Sequence, residues 1–290
     1  MIDRSNLTRD GIMNAVDRFV TTEWLQAHLD DANIRVIDIR GRVLPASEPP
    51  PHYHSHCQQY EESHIPCAQF VDWTADIVEP DSPSYDIANP ERYSALMSAL
   101  GVSENTHVIA YDDANGMFAA RLWWTLNYYG HDRVSVLAGG WQKWLAEGRP
   151  ITADVQTVEP ATFVAQVQPQ FHAAAQDISE NGGQLLVDSR SPAEFAGQAS
   201  RASRSGHIPG AINVPRKTLL DDSGQLLAEE ALRSRFANAN DVSDDVVVYC
   251  NSGVSASFVM MAMLEAGYET VRVYDGSWKD WANNPDNPVE

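Results

Sequence analysis

The chain repeats itself, and that constrains its fold more than any other feature. Four segments recur in the same order. Val36-Ile37-Asp38-Ile39-Arg40 returns as Leu186-Val187-Asp188-Ser189-Arg190, and Ser63-His64-Ile65-Pro66-Cys67-Ala68 as Gly206-His207-Ile208-Pro209-Gly210-Ala211. Val108-Ile109-Ala110-Tyr111 returns as Val246-Val247-Val248-Tyr249, and Gly139-Gly140-Trp141-Gln142-Lys143-Trp144 as Gly276-Ser277-Trp278-Lys279-Asp280-Trp281. Recurrence in register is the mark of a duplicated unit. The offset falls from 150 at Arg40/Arg190 to 143 at His64/His207, 138 at Tyr111/Tyr249 and 137 at Trp141/Trp278. The first copy therefore carries 13 extra residues between its Arg and its Trp, seven of them before the His. Those seven place an insertion in the Pro- and His-rich segment 43–60, which reads as a surface loop.

In each copy short Val/Ile runs alternate with helical patterns. Strands are expected at 34–38, 107–111, 134–137, 185–188, 245–249 and 271–274, nearly all apolar, as for strands covered on both faces of a parallel sheet. Helices are expected at 22–30, 90–100, 118–129, 140–147, 228–238 and 255–266, the last stopped by Gly267. The alternation predicts an α/β fold in each half, a mainly parallel sheet flanked by helices. Residues 1–148 then form one domain, the polar Pro-containing stretch 149–170 a linker, and 171–290 a second domain.

Composition narrows the function. With 20 basic and 40 acidic residues the formal net charge is −20, which argues against a nucleic-acid partner or an anionic membrane surface. Three cysteines are too few for a disulfide framework and point to reduced thiols in a cytoplasmic setting. The first twenty residues hold no apolar run of signal-peptide length, and no stretch is long enough to span a membrane. Cys57 lies near His52, His54 and His56, but a Pro-rich exposed loop collects histidines without a metal, and no metal site is expected.

The copies differ at one informative loop. After the third repeated strand the second copy reads Cys250-Asn251-Ser252-Gly253-Val254-Ser255-Ala256-Ser257, while the first reads Asp112-Asp113-Ala114-Asn115-Gly116-Met117. Cys250 falls at the carboxyl end of a parallel strand, where open α/β sheets place ligands. The backbone amides of 251–255 can curl into an anion nest, and the following helix N-terminus adds positive potential that favours a thiolate. This is the setting of a catalytic cysteine rather than a packed one. Asp112 cannot act as a sulfur nucleophile, so the first copy is expected to be silent and to lend a wall to a cleft between the domains.

The pattern resembles the tandem-domain rhodaneses, the thiosulfate and 3-mercaptopyruvate sulfurtransferases, over nearly the whole chain. The resemblance rests on GHIPGA at 206–211, the cysteine loop, the closing Gly276-Ser277-Trp278 with Pro288-Val289-Glu290, and the aspartate in place of the first cysteine. It implies two tandem rhodanese-like domains. It also implies that Cys250 takes sulfur from a small donor as a persulfide and passes it to cyanide or a thiol, with no cofactor. A protein acceptor of the sulfur also fits.

The resemblance also bears on donor choice. Thiosulfate enzymes typically carry CRKGVTA in the loop and mercaptopyruvate enzymes CGSGVTA; this chain has CNSGVSA, so Ser252 matches the second type. The mercaptopyruvate enzymes' substrate arginine, four residues after Arg190, is Glu194 here. Ser191-Pro192-Ala193-Glu194 reads instead as a capped helix start. Arg201 and Arg204 are candidates to replace the missing cation, and Arg190 reads as a structural ion pair that could also touch substrate. His64 matches the family's relay histidine, but His207 repeats it and points to a structural role; the relay's acidic member falls at Tyr53. Trp278 and Trp281 read as packing, with Trp278 near the pocket.

Two rivals stand beside this reading. A rhodanese-like phosphatase needs Cys-x5-Arg, and Ala256 occupies that arginine position. A persulfide relay loaded by a protein partner would suit Glu194 and the weakly cationic loop.

Overall fold

The structure is a computed structural model and describes residues 16–180, 183–236 and 245–290. The first half runs β1 (Phe19–Val20), α1 (Thr22–Ala27), β2 (Ile34–Asp38), β3 (Gly41–Val43), β4 (Tyr53–Ser55), α2 (Cys57–Glu62), β5 (Gln69–Phe70), α3 (Pro90–Ala99), β6 (His107–Tyr111), α4 (Met117–Tyr128), β7 (Val134–Leu137) and α5 (Gly140–Ala146). The second runs β8 (His172–Ala173), α6 (Ala175–Glu180), β9 (Leu185–Asp188), α7 (Pro192–Phe195), β10 (Ile212–Asn213), α8 (Glu229–Arg235), β11 (Val246–Tyr249), α9 (Val254–Glu265), β12 (Val271–Tyr274) and α10 (Ser277–Asn283).

Each half carries one five-stranded sheet, ordered β5-β2-β6-β7-β1 and β10-β9-β11-β12-β8. Every pairing in both is parallel. Strand for strand the two orders are the same, so the duplication read from the sequence is a duplication of topology. The central strands β6 and β11 are buried throughout, which is why they are Val/Ile runs without polar alternation. The predicted strands coincide with β2, β6, β7, β9 and β12, and β11 starts one residue later than expected. The helix predicted at 228–238 ends at Arg235, and its last two residues lie outside the described ones.

The insertion is in part the surface loop expected, exposed over 47–51, and in part a ribbon. Tyr53–Ser55 pairs antiparallel with Gly41–Val43, and the ribbon folds inward, with Trp73 Nε1 donating to the His54 carbonyl at 3.1 Å. The ring of Tyr53 meets Trp73 edge-on, with centroids 5.6 Å apart. Tyr53, the first residue of β4, is half-buried there, as an aromatic ring gains by leaving water. His52, His54 and His56 point to separate partners, the Glu48 carbonyl, the Pro51 carbonyl and Asp113 Oδ2. Among the described residues no three His, Cys, Asp or Glu side chains are grouped to share a metal ion.

Residues 149–168 follow the first domain closely. Ala161 N donates to the Ser98 carbonyl, Phe163 N to Ser98 Oγ and Ala165 N to Ser94 Oγ, at 2.8–3.0 Å, while Phe163 is buried. The two domains meet where α4 packs on α9, and one apolar cluster, including Phe118 and Leu122 with Phe258 and Met261, spans both. Within it Arg121 Nη1 and Asp275 Oδ1 lie 2.5 Å apart, with side chains 1% and 2% exposed. Asp275 Oδ2 also accepts from Ile87 N at 2.8 Å. A fully desolvated pair of this kind fixes one domain relative to the other. Among the described residues no helix is long and apolar enough to cross a membrane.

Candidate active site

Cys250 directly follows β11, and the first turn of α10 ties its loop down. Cys250 N and Gly253 N both donate to Ser277 Oγ at 3.1 Å, and Ser277 Oγ donates to the Tyr274 carbonyl at 2.7 Å. Trp278 N donates to the Cys250 carbonyl and Lys279 N to that of Asn251, at 3.0 and 3.1 Å. Gly253 opens α9 at φ +72, and a Cβ there would come within 2.5 Å of Asp275 Oδ1. Only glycine fits both that backbone and that neighbour. The first amides of α9 have no partner within the helix and face the loop.

The first copy shows what its own loop holds. Asp112 Oδ1 accepts from the amides of Ala114 and Gly116, both at 2.9 Å, and Oδ2 from those of Phe118 and Ala119, at 2.6 and 2.9 Å. Four backbone donors on one carboxylate make an anion cradle. Burial pushes the Asp112 carboxyl up against the pull of these amides. Trp141 N donates to the Asp112 carbonyl as Trp278 N does to that of Cys250. Cys250 takes the same place after its strand as Asp112, on a loop one residue shorter whose Gly253 amide goes to Ser277 Oγ.

A cavity of about 650 Å³ opens over Cys250, walled by Asn251, Ser252, Val254, Ser255, Arg190 and Arg201 from the second domain and by Val43, Tyr53 and Met117 from the first. Gly253 supports the loop from behind, against Asp275. Arg190 lines the cavity while its Nε and Nη2 are held by Asp188, and Nη2 also by the Gly206 carbonyl at 2.7 Å. Arg40 repeats these contacts with Asp38 and Ser63 O, and each guanidinium lies over the following tryptophan, Trp141 at 4.4 Å and Trp278 at 4.6 Å. What both copies share serves the fold. Arg190 Nη1 is buried without a partner.

Glu194 closes the capping box with Ser191 as its sequence indicates, and it does more. Its Oε1 pairs with Arg201 Nη1 at 2.5 Å and accepts from Asn251 Nδ2 at 2.8 Å. The carboxylate thus anchors the cysteine loop and neutralises the arginine expected to meet substrate.

Three candidate contacts lie outside the cavity wall: Arg204 is a correction, while His64 and Trp278 take the structural and packing places their repetition indicated. Arg204 spends its guanidinium on the carbonyls of Trp281, Ala282, Asn284 and Asn287, capping the end of α10. His64 is fully buried, stacked on Tyr60 with centroids 4.1 Å apart, its ring nitrogens against the Tyr60 and Asp154 carbonyls. Trp278 is fully buried under Arg190 and donates to the Arg204 carbonyl at 3.1 Å. None of the three lines the cavity.

Other residues reach the site unforeseen. Lys279 Nζ lies 4.2 Å from the Tyr53 ring centroid and 4.6 Å from that of Tyr85; of the three only Tyr53 lines the cavity. Burial, with Arg201 nearby, pushes its ammonium down to about 8, and Cys250 acts in the opposite sense. Ser252 Oγ donates to Tyr53 OH at 3.5 Å. Arg216 and Lys217 line the opposite wall. The doublet of cations after Pro215 was the available signal.

A parallel α/β unit used twice, with aspartate after the central strand of one copy and cysteine after that of the other, defines a two-domain α/β protein. The chain belongs to the rhodanese family: the model of the rhodanese-like domain matches residues 21–147 and 172–284. It is a sulfurtransferase of that family. It is 34% identical to the sulfur carrier protein TtuD of Thermus thermophilus, over 93% of this chain and 95% of that protein. It is 36% identical to the thiosulfate sulfurtransferase of Gallus gallus, over 83% and 86%. The crystal structure of SseA from Escherichia coli, a 3-mercaptopyruvate sulfotransferase by its description, superposes with a TM-score of 0.79 at 32% identity, covering 91% of this chain and 99% of that one.

Proposed function

We propose that Cys250 carries sulfur as a persulfide from a small anionic donor, thiosulfate or 3-mercaptopyruvate, to cyanide or a thiol. With thiosulfate, the Cys250 thiolate attacks the outer sulfur, the S–S bond breaks, and sulfite leaves with the electron pair. With 3-mercaptopyruvate, the C–S bond breaks and the departing pyruvate enolate takes a proton. Either donor leaves Cys250–S–S⁻. Cyanide or a thiolate then attacks the outer sulfur and returns the thiolate, with no net change in cysteine oxidation state.

The carrying observation is the pairing of Asp112 with Cys250. Four amides hold the Asp112 carboxylate, and Cys250 follows the matching strand just before α9, whose first amides, without partners inside the helix, would stabilise a persulfide anion. Asn251, Ser252, Val254 and Ser255 form the surface that the donor meets, and the unpartnered Arg190 Nη1 suits its anionic end. All three cysteines are unpaired, which fits a reducing, cytoplasmic setting.

The Glu194–Arg201 pair favours a second reading. By neutralising Arg201 it leaves less positive charge for a small dianion, as suits a carrier loaded by a persulfidated protein. Parallel thiocyanate assays with each donor, on wild type and Cys250→Ser, separate the two. Turnover that Cys250→Ser abolishes supports the small-donor enzyme and names the donor. No turnover with either donor overturns it and leaves the relay.

A further inference from the structure

We infer that Arg216 and Lys217 hold the carboxylate of a peptide-sized thiol acceptor whose sulfur reaches Cys250 at the cavity floor. The inference rests on the persulfide reading above and adds the class of acceptor.

Charge bookkeeping around the cavity isolates this pair. Arg190 is matched by Asp188 and Arg201 by Glu194. Arg216 and Lys217 line the same cavity, and among the described residues neither makes an ion pair. The Arg216 guanidinium lies 5.3 Å from the Phe258 ring centroid, and its one hydrogen bond is a long 3.5 Å contact to the Asn115 carbonyl. Burial lowers the Arg216 guanidinium and the Asp112 carboxylate opposes this, but that carboxylate is already held by four amides. Lys217 is exposed and has no partner among the described residues. In a chain of net charge −20, neighbouring cations left without carboxylates mark a place for an external anion. The backbone under them is fixed: Arg216 N donates to the Ser189 carbonyl at 3.3 Å and Leu219 is fully buried. A planar guanidinium and a mobile ammonium together suit a carboxylate.

Size selects the ligand. Cys250 is 4% exposed at the floor, whereas Lys217 is exposed at the mouth. One molecule touching both must span the cavity. At about 650 Å³ that space is on the scale of a drug-sized ligand rather than a five-atom anion. In the transfer the acceptor thiol loses its proton to solvent, and its thiolate attacks the outer sulfur of Cys250–S–S⁻. The S–S bond to Sγ breaks, Sγ keeps the electron pair, and the acceptor departs as a persulfide.

The test compares three acceptors at saturating donor: glutathione, which carries carboxylates; cysteamine, a thiol without one; and cyanide. Wild type, Lys217→Gln and the double variant Arg216→Gln/Lys217→Gln are assayed, with intact-mass measurement of sulfur loading. The double variant is expected to raise the KM for glutathione about tenfold, the loss of one good charge-assisted contact. At saturating donor the KM for cysteamine should not rise. Lys217→Gln, at an exposed position, should give part of the effect without risk to folding. Equal shifts for glutathione and cysteamine, a shift confined to donor loading, or no shift would each overturn the inference. A wild type that takes up no sulfur would instead remove the persulfide reading itself.

Discussion

Glu194 Oε1 and Arg201 Nη1 lie 2.5 Å apart in the wall beside Cys250. An unpaired carboxylate there would repel an anionic donor, and an unpaired guanidinium would attract it. Together they do neither strongly, and Glu194 is free to brace Asn251. The pair is therefore read as structural support for the cysteine loop.

Glu194→Ala should be costly. It leaves Arg201 without its partner in a largely desolvated setting and removes the brace on Asn251. A loss of about 3–5 kcal/mol is expected in denaturant unfolding, with slower sulfur loading of Cys250. A variant of wild-type stability would show that Arg201 finds another partner.

Asp275→Ala tests the joint between the domains. Asp275 pairs with Arg121 and accepts from Ile87 N across the interface, and it backs Gly253. Its removal leaves a buried guanidinium, so a loss of about 3–5 kcal/mol is again expected. Activity should fall as the cysteine loop loosens. Unfolding monitored by tryptophan fluorescence checks the first, and thiocyanate formation the second.

The repeats explain how much was legible beforehand. The central strands announced themselves as Val/Ile runs, and Asp112 against Cys250 marked the loop at which the copies differ. Tyr53 escaped because its role depends on a ribbon, β3–β4, whose pairing joins residues far apart in a segment of loop-like composition. Lys279 escaped because it sits in a helical turn between two tryptophans, and only its contact with Tyr53 and Tyr85 brings it beside the site. Arg204 misled for the converse reason: an arginine in a Ser/Arg loop looks available, yet four carbonyls consume it. The edge strands β1, β5, β8 and β10 are two residues each, too short for any periodicity.

Lys279 predicts a pH dependence. Its ammonium falls from an ordinary 10.5 to about 8 in the folded chain, chiefly through burial. Between these values the unfolded chain holds a proton that the folded chain has lost, so stability attributable to Lys279 rises with pH across that window. Below about pH 8 the full burial penalty is present. Lys279→Met should therefore gain relative to wild type at pH 7, and the gap should narrow towards pH 10. Urea unfolding of both proteins at the two pH values checks this; a gap independent of pH would contradict it.

The most direct measurement is the intact mass of the protein after brief exposure to thiosulfate or 3-mercaptopyruvate. The account predicts one added sulfur per chain, removed by cyanide and absent in Cys250→Ser, while Cys57→Ser and Cys67→Ser load as wild type does. No added sulfur with either donor, or a sulfur that persists in Cys250→Ser, would contradict it.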